Sequence, residues 1–153
     1  QDTKYNSPFH QFIDKARKGE DIEVWGNPPK TVRDMIYVKD VCRAFILAIE
    51  KKDVHGWYNI GSGKGLTIKE EVKEIISVFS PWEECPEYVE GNVVANYREK
   101  MSKIIYRPDI EEVRTHSCIF LINKAVKELG WWPLYTYHDA LVDMKEEMEA
   151  GET

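Results

Sequence analysis

No run of about 18 apolar residues occurs anywhere in the 153-residue chain, so the sequence predicts no membrane-spanning helix. The first twelve residues, QDTKYNSPFHQF, lack both a basic region and an apolar core, and predict no secretory signal peptide. They also lack an initiator Met, as expected of a chain that begins mid-protein. Cysteine is scarce: Cys42, Cys85 and Cys118 are odd in number and far apart, with no CxxC spacing for zinc or redox chemistry. Reduced thiols in a cytoplasmic protein are the expectation. The four histidines, His10, His55, His116 and His138, are equally dispersed and give no metal-ligand pattern. Basic charge is short as well. A net charge of -6, with an acidic stretch from Asp139 to Glu152 balanced only by Lys145, argues against a nucleic-acid partner, because such binding rests on clustered Lys and Arg.

What is present has the composition of one globular α/β domain spanning residues 1–153: 42% apolar and 31% charged residues. Phe9, Phe12, Ile13 and Ala16 share one helical face behind Pro8, and Gly19 ends that helix. IEVWG (22–26) and RDMIYV (33–38) read as strands, separated by the turn NPPK. Asp40 stands where it would cap the helix VCRAFILAIEKK. WYNI (57–60) reads as a further strand, and Thr67 with Glu70 forms a T-x-x-E capping box before IKEEVKEIISVFS. The stretch from Pro81 to Ser102 reads as a long loop. KIIYRP (103–108) is a strand candidate, NKAVKELG a short helix, and TYHDALVDMKEEMEA the last helix. Alternating strands and helices define the α/β class.

The segment NIGSGKGLT (59–67) has the look of a phosphate loop and fails each signature. In G-x-G-x-x-G, Gly61 and Gly63 fit but Leu66 holds the third place. In G-x-x-x-x-G-K-[ST], Lys64 is followed by Gly65. A tight strand-to-helix turn is the reading that survives.

Four segments in order, RDMIYVKDVCRAFILAIE, YNIGSG, LTIKEEV and KAVKELGWWP, together resemble the C-terminal half of the extended short-chain dehydrogenase/reductases, the NAD-dependent sugar-nucleotide epimerases and dehydratases of the UDP-galactose 4-epimerase type. The likeness runs from about Ser7 to Glu149. It implies a small substrate-binding domain of a two-domain enzyme, without the Rossmann domain. That family carries its chemistry in a G-x-x-G-x-x-G loop and a Y-x-x-x-K pair. None of the eight tyrosines here has Lys four residues on, so no catalytic residue is assigned and the chain is expected to be inactive alone and to bind no cofactor itself. NAD is implied for the parent enzyme.

The resemblance also implies the ligand, a nucleotide-diphosphate sugar bound weakly by half a cleft. It assigns Arg33 to the diphosphate, with a guanidinium fork suited to phosphate oxygens. Trp25 falls near the nucleotide base, where its ring could stack, and Arg114 is a second phosphate candidate. Met35 departs from the usual aromatic residue. A non-catalytic binding or assembly module derived from the same family is the alternative. In either case the 40–52 helix and the CIFLI run (118–122) should be left apolar and exposed by the missing Rossmann domain, which favours self-association.

Overall fold

A computed structural model describes residues 7–25, 30–80, 102–107 and 117–151. Helix α1, Pro8–Lys18, begins as its residue types require. Pro8 occupies the first turn, and Ser7 caps the helix by accepting a hydrogen bond from the His10 amide. It ends at Gly19 in the left-handed conformation (φ 67°), whose amide donates back to the last carbonyls. Strand β1, Ile22–Trp25, buries Ile22 and Val24 and exposes Glu23 and Trp25, the alternation of a half-buried strand. It pairs in parallel with β4, Ile104–Arg107.

The second pairing is antiparallel, between β2 (Val32–Arg33) and β3 (Leu66–Thr67), and Cys118 adds a bridge to Arg33. Thus the predicted strand 33–38 is only two residues long, Val32–Arg33. From Asp34 onward the chain leaves the ladder, and helix α2, Val38–Glu50, begins earlier than expected. Its N-cap is Tyr37, which makes no side-chain capping bond, so Asp40 lies inside the first turn.

WYNI forms no strand. Among the described residues, no ladder partner lies beside it, and a lone extended segment has nowhere to send its backbone hydrogen bonds. The segment is fastened by side chains instead. Asn59 Nδ2 donates to Leu121 O, and Lys124 Nζ donates to the carbonyls of His55 and Trp57 at 3.2 Å each.

Helix α3, Ile68–Phe79, starts with the full reciprocal box: the Glu70 amide donates to Thr67 Oγ1 (3.2 Å), and the Thr67 amide to Glu70 Oε2 (2.8 Å). The last helix, α4, Tyr137–Gly151, is preceded by a similar box built on Thr136 and Asp139. Between α3 and α4, the chain turns through a wide π-helical segment, Ala125–Leu129. This ends at left-handed Gly130 (φ 66°), and the amides of Gly130 and Trp131 both donate to Ala125 O.

Among the described residues, two apolar cores result. In the larger, α1, β1, α3 and α4 bring together Ile13, Ala16, Ile22, Val24, Ile75 and Leu141. Each fully buried branched side chain there contributes roughly 1.5–3 kcal/mol. In the smaller, Ala44 of α2 packs with Ala125, Leu129 and Trp131. Trp131 is fully buried and its indole N–H donates to Asp40 O at 2.9 Å, which gives the GWWP segment a structural purpose. No described helix is long and apolar enough to cross a membrane. The run from Pro81 to Met101, Arg114 and His116 lie outside the described residues.

Candidate functional site

Arg33 ends β2 with its side chain half-buried, opposite Leu66 in the ladder. The two acids nearest in sequence do not pair with it. Asp34 Oδ1 accepts from the Ser62 amide and hydroxyl, both at 2.6 Å, while Oδ2 accepts from the amides of Gly63 (3.1 Å) and Phe120 (2.9 Å). Asp40 is fully buried. It takes hydrogen bonds from the Leu134 and Tyr135 amides and an ion pair from Arg43 at 3.0 Å. Asp40 is therefore an internal acceptor that docks the 134–135 backbone onto α2, not the helix cap its position predicted.

The same bonds settle the glycine loop. The Ser62 and Gly63 amides, which a phosphate cradle would aim outward, are spent on Asp34. A Cβ on Gly61 would come within 2.9 Å of Asp34 Oδ2 and 3.0 Å of Phe120 Cβ, so that glycine makes room for protein and not for ligand. The loop does not fit the pyrophosphate of NAD.

Trp25 is 56% exposed on the outer face of β1. The parallel register sets it directly opposite Arg107, while Glu23 forms a 3.8 Å ion pair with Arg107 on the same face. Arg107 was not singled out in the sequence; the register with Trp25, which only the pairing of two distant strands creates, reveals it. Arg114, the predicted second phosphate ligand, lies outside the described residues.

Two adjoining cavities, of about 290 and 320 Å³, share Met35, Tyr135, Thr136 and Tyr137 as a common wall. The first is apolar, closed by Phe9, Leu141 and Met144; the second has Lys64, Glu74 and His138 at its rim. His138 Nδ1 sits 2.9 Å from Glu74 Oε2. Neither Trp25 nor Arg33 lines either cavity, so the structure does not join them in one of these spaces. Beside the first, the Tyr37 hydroxyl donates to Asp143 Oδ2 at 2.5 Å, and Lys39 pairs with Asp143 and Glu147. Burial and that acceptor push the Tyr37 phenol up to about 12, and the Lys39 and Tyr37 hydrogen bonds hold Asp143 below the usual carboxylate range. These contacts tie α4 to the start of α2.

On α3, which follows directly from β3 and its residue Leu66 paired with Arg33, Glu71 is 1% exposed, and among the described residues neither carboxyl oxygen has a hydrogen-bond partner. Burial raises its pKa, and Arg33 opposes that shift. A sequence signal for it exists: Glu71 lies three residues after Ile68 and four before Ile75, on the stripe that faces the core.

Comparison with known proteins places this geometry. The sequence profile of the NAD dependent epimerase/dehydratase family matches residues 1–61. The low-salt glycan biosynthesis protein Agl12 of Haloferax volcanii is 30% identical over 131 residues, covering 86% of this chain and 36% of that protein. A dTDP-glucose 4,6-dehydratase of Neisseria gonorrhoeae is also 30% identical, with 85% and 35% covered. Among solved structures, UDP-glucose 4-epimerase from Thermotoga maritima, determined with UDP-glucose, superposes with a TM-score of 0.71 at 25% identity, over 96% of this chain and 40% of that one. The dTDP-glucose 4,6-dehydratase from Bacillus anthracis, in complex with NAD, shares the fold (TM-score 0.68, 22% identity, 95% and 40% covered). The chain spans little more than a third of the length of the curated relatives it matches. Over residues 1–61 the chain matches the sequence profile of the NAD dependent epimerase/dehydratase family, and over almost all its length it has the fold of UDP-glucose 4-epimerase, so it resembles that family across part of the family's extent.

Proposed function

We propose that this chain is the C-terminal, substrate-binding part of an NAD-dependent sugar-nucleotide epimerase or dehydratase. It holds a nucleotide-diphosphate sugar and supplies none of the hydride-transfer machinery. The observation that carries this reading is the state of Arg33. Both neighbouring acids, Asp34 and Asp40, are committed to backbone amides and to Arg43, so among the described residues no carboxylate pairs with the guanidinium. A half-buried Arg in that state is suited to phosphate oxygens, which it engages through two parallel charged hydrogen bonds. Trp25, exposed on the outer face of β1, offers a stacking face.

The chain's own residues therefore bind and orient. They hold a phosphate by Arg33, a planar base by Trp25, and the connecting backbone rigidly through Asp34. The exposed outer face of α2 suits contact with the family's cofactor-binding domain.

Titration calorimetry with UDP-glucose and dTDP-glucose tests the reading. We expect weak binding heat from the wild-type chain that Arg33→Ala abolishes and Trp25→Ala reduces. Flat titrations for the wild type, or epimerase or dehydratase turnover by the purified chain with NAD, would overturn it.

A further inference from the structure

Glu71 has no evident use in the fold. Its place on the inner stripe of α3 is one an apolar residue fills best, since a buried carboxyl without partners costs free energy in either protonation state and far more when ionised. The Tyr137 hydroxyl, on α4, is also buried and, among the described residues, unpartnered. Arg33 on β2 acts on both Glu71 and Tyr137, and Glu74, one turn along α3, acts on Tyr137. The α1 residues packed against this core are the apolar Phe9, Phe12, Ile13 and Ala16, and β3 offers Leu66 and Thr67. Burial raises the Glu71 pKa against the opposing pull of Arg33.

We propose that Glu71 is a positioning residue for Arg33, and that its protonation decides whether the guanidinium is drawn inward into an ion pair or stays available to a ligand phosphate. The inference rests on the diphosphate-binding reading of Arg33. With Glu71 protonated, its carboxyl does not compete for the guanidinium. When Glu71 releases its proton to solvent, the carboxylate is left in an apolar site, and among the described residues Arg33 is the cation that acts on it. Conversely, a phosphate that claims Arg33 leaves an ionised Glu71 without its counter-charge, so ligand binding must draw a proton from solvent. Proton uptake and anion binding are two readings of the same linkage.

Two measurements on the same chain test this. In the ligand-free protein, NMR follows the Glu71 carboxyl carbon and the Arg33 Nε resonance across pH. Both should move with one midpoint above the ordinary glutamate range, and Glu71→Gln should leave Arg33 unresponsive. An Arg33 resonance indifferent to the Glu71 titration overturns the proposal. In the second, UDP-glucose, whose diphosphate diester does not titrate near neutrality, is titrated calorimetrically in buffers of different ionisation enthalpy. Affinity should fall about threefold to tenfold as pH rises through the Glu71 midpoint, with net proton uptake that vanishes in Glu71→Gln. Coupled Glu71 and Arg33 resonances with no UDP-glucose heat at any pH would sink the ligand reading and leave the internal pair standing. UDP-glucose binding with neither pH dependence nor proton uptake would sink the positioning role and leave the ligand reading standing.

Discussion

Asp34 Oδ1 lies 2.6 Å from both the amide nitrogen and the hydroxyl oxygen of Ser62, so one carboxylate fixes the glycine loop to the end of β2. With its other oxygen it holds the Gly63 and Phe120 amides. Asp34→Ala strands several partly buried donors at once, and hydrogen bonds to a charged acceptor contribute about 1.5–3 kcal/mol each. We expect a loss of about 3 kcal/mol in urea denaturation. Hydrogen exchange should show protection lost first at Ser62, Gly63 and Phe120, and wild-type protection there would refute the role.

That contact marks the boundary of what the sequence made legible. Local chemistry was readable: Pro8 and Gly19 bound α1, and Thr67 with Glu70 caps α3, because each signal lies within four residues of what it controls. The exposed apolar face expected on the 40–52 helix is present at Phe45, Ile46 and Ile49. Long-range partners were not readable. Asp40 resembles a helix cap until the Leu134 and Tyr135 amides, more than ninety residues away, are folded onto it. WYNI carries strand propensity, but propensity without a neighbouring strand forms no ladder. Arg107 gains meaning only from the register that sets it against Trp25. Arg114, which the motif suggests, lies outside the described residues.

Gly65 and Gly151 make opposite predictions. A Cβ on Gly65 would fall 2.2 Å from Val32 Cγ1 and 2.8 Å from Ile119 Cδ1, whereas one on Gly151 meets nothing within 4 Å. Val32 is a short branched side chain in β2 and has little freedom to yield. Gly65→Ala should therefore cost about 1–3 kcal/mol, the usual penalty for forced overpacking. Gly151→Ala should be neutral or slightly stabilising, as expected when Ala replaces Gly at a helix end. Equal urea midpoints for the two variants would refute the close approach of the loop to β2.

Asp40→Ala should be the most damaging single change among the helices. It removes a fully buried acceptor, leaving the Leu134 and Tyr135 amides and the Arg43 guanidinium without their partner. Removing one member of a buried ion pair costs about 3–5 kcal/mol. Asp40→Asn, which keeps one acceptor oxygen, should recover part of that. A cap-sized loss of about 1 kcal/mol for Asp40→Ala would instead restore the helix-cap assignment.

The outer face of α2 predicts self-association. Phe45 is 66% exposed, Ile46 55% and Ile49 82%, an apolar surface of the kind that drives contact between copies when nothing else covers it. Light scattering across a concentration series should report a dimer or larger species, and Ile49→Lys should shift it toward monomer. A wild-type monomer at every concentration contradicts the prediction.

Stability should fall as pH rises from the mildly acidic range, and Glu71 should account for the fall. Its folded-state pKa lies above the ordinary glutamate value of 4.5, because burial disfavours the carboxylate more than Arg33 favours it. Between the unfolded and folded values the native state holds a proton that the unfolded state has released, so ν in the native state exceeds ν in the unfolded state and the slope of stability against pH is negative. Above the folded value the slope returns to zero. Glu70, Asp139 and Asp143 act in the opposite sense: hydrogen bonds from Thr67, Thr136 and Lys39 lower their folded values, so their contribution is present above the ordinary carboxylate range and is lost as pH falls through those lowered values. Urea midpoints should peak between the two regimes. In Glu71→Gln the decline on the alkaline side of that peak should flatten while the acid limb stays in place, because the glutamine has no proton to lose. A variant that keeps the wild-type decline would assign it to some group other than Glu71.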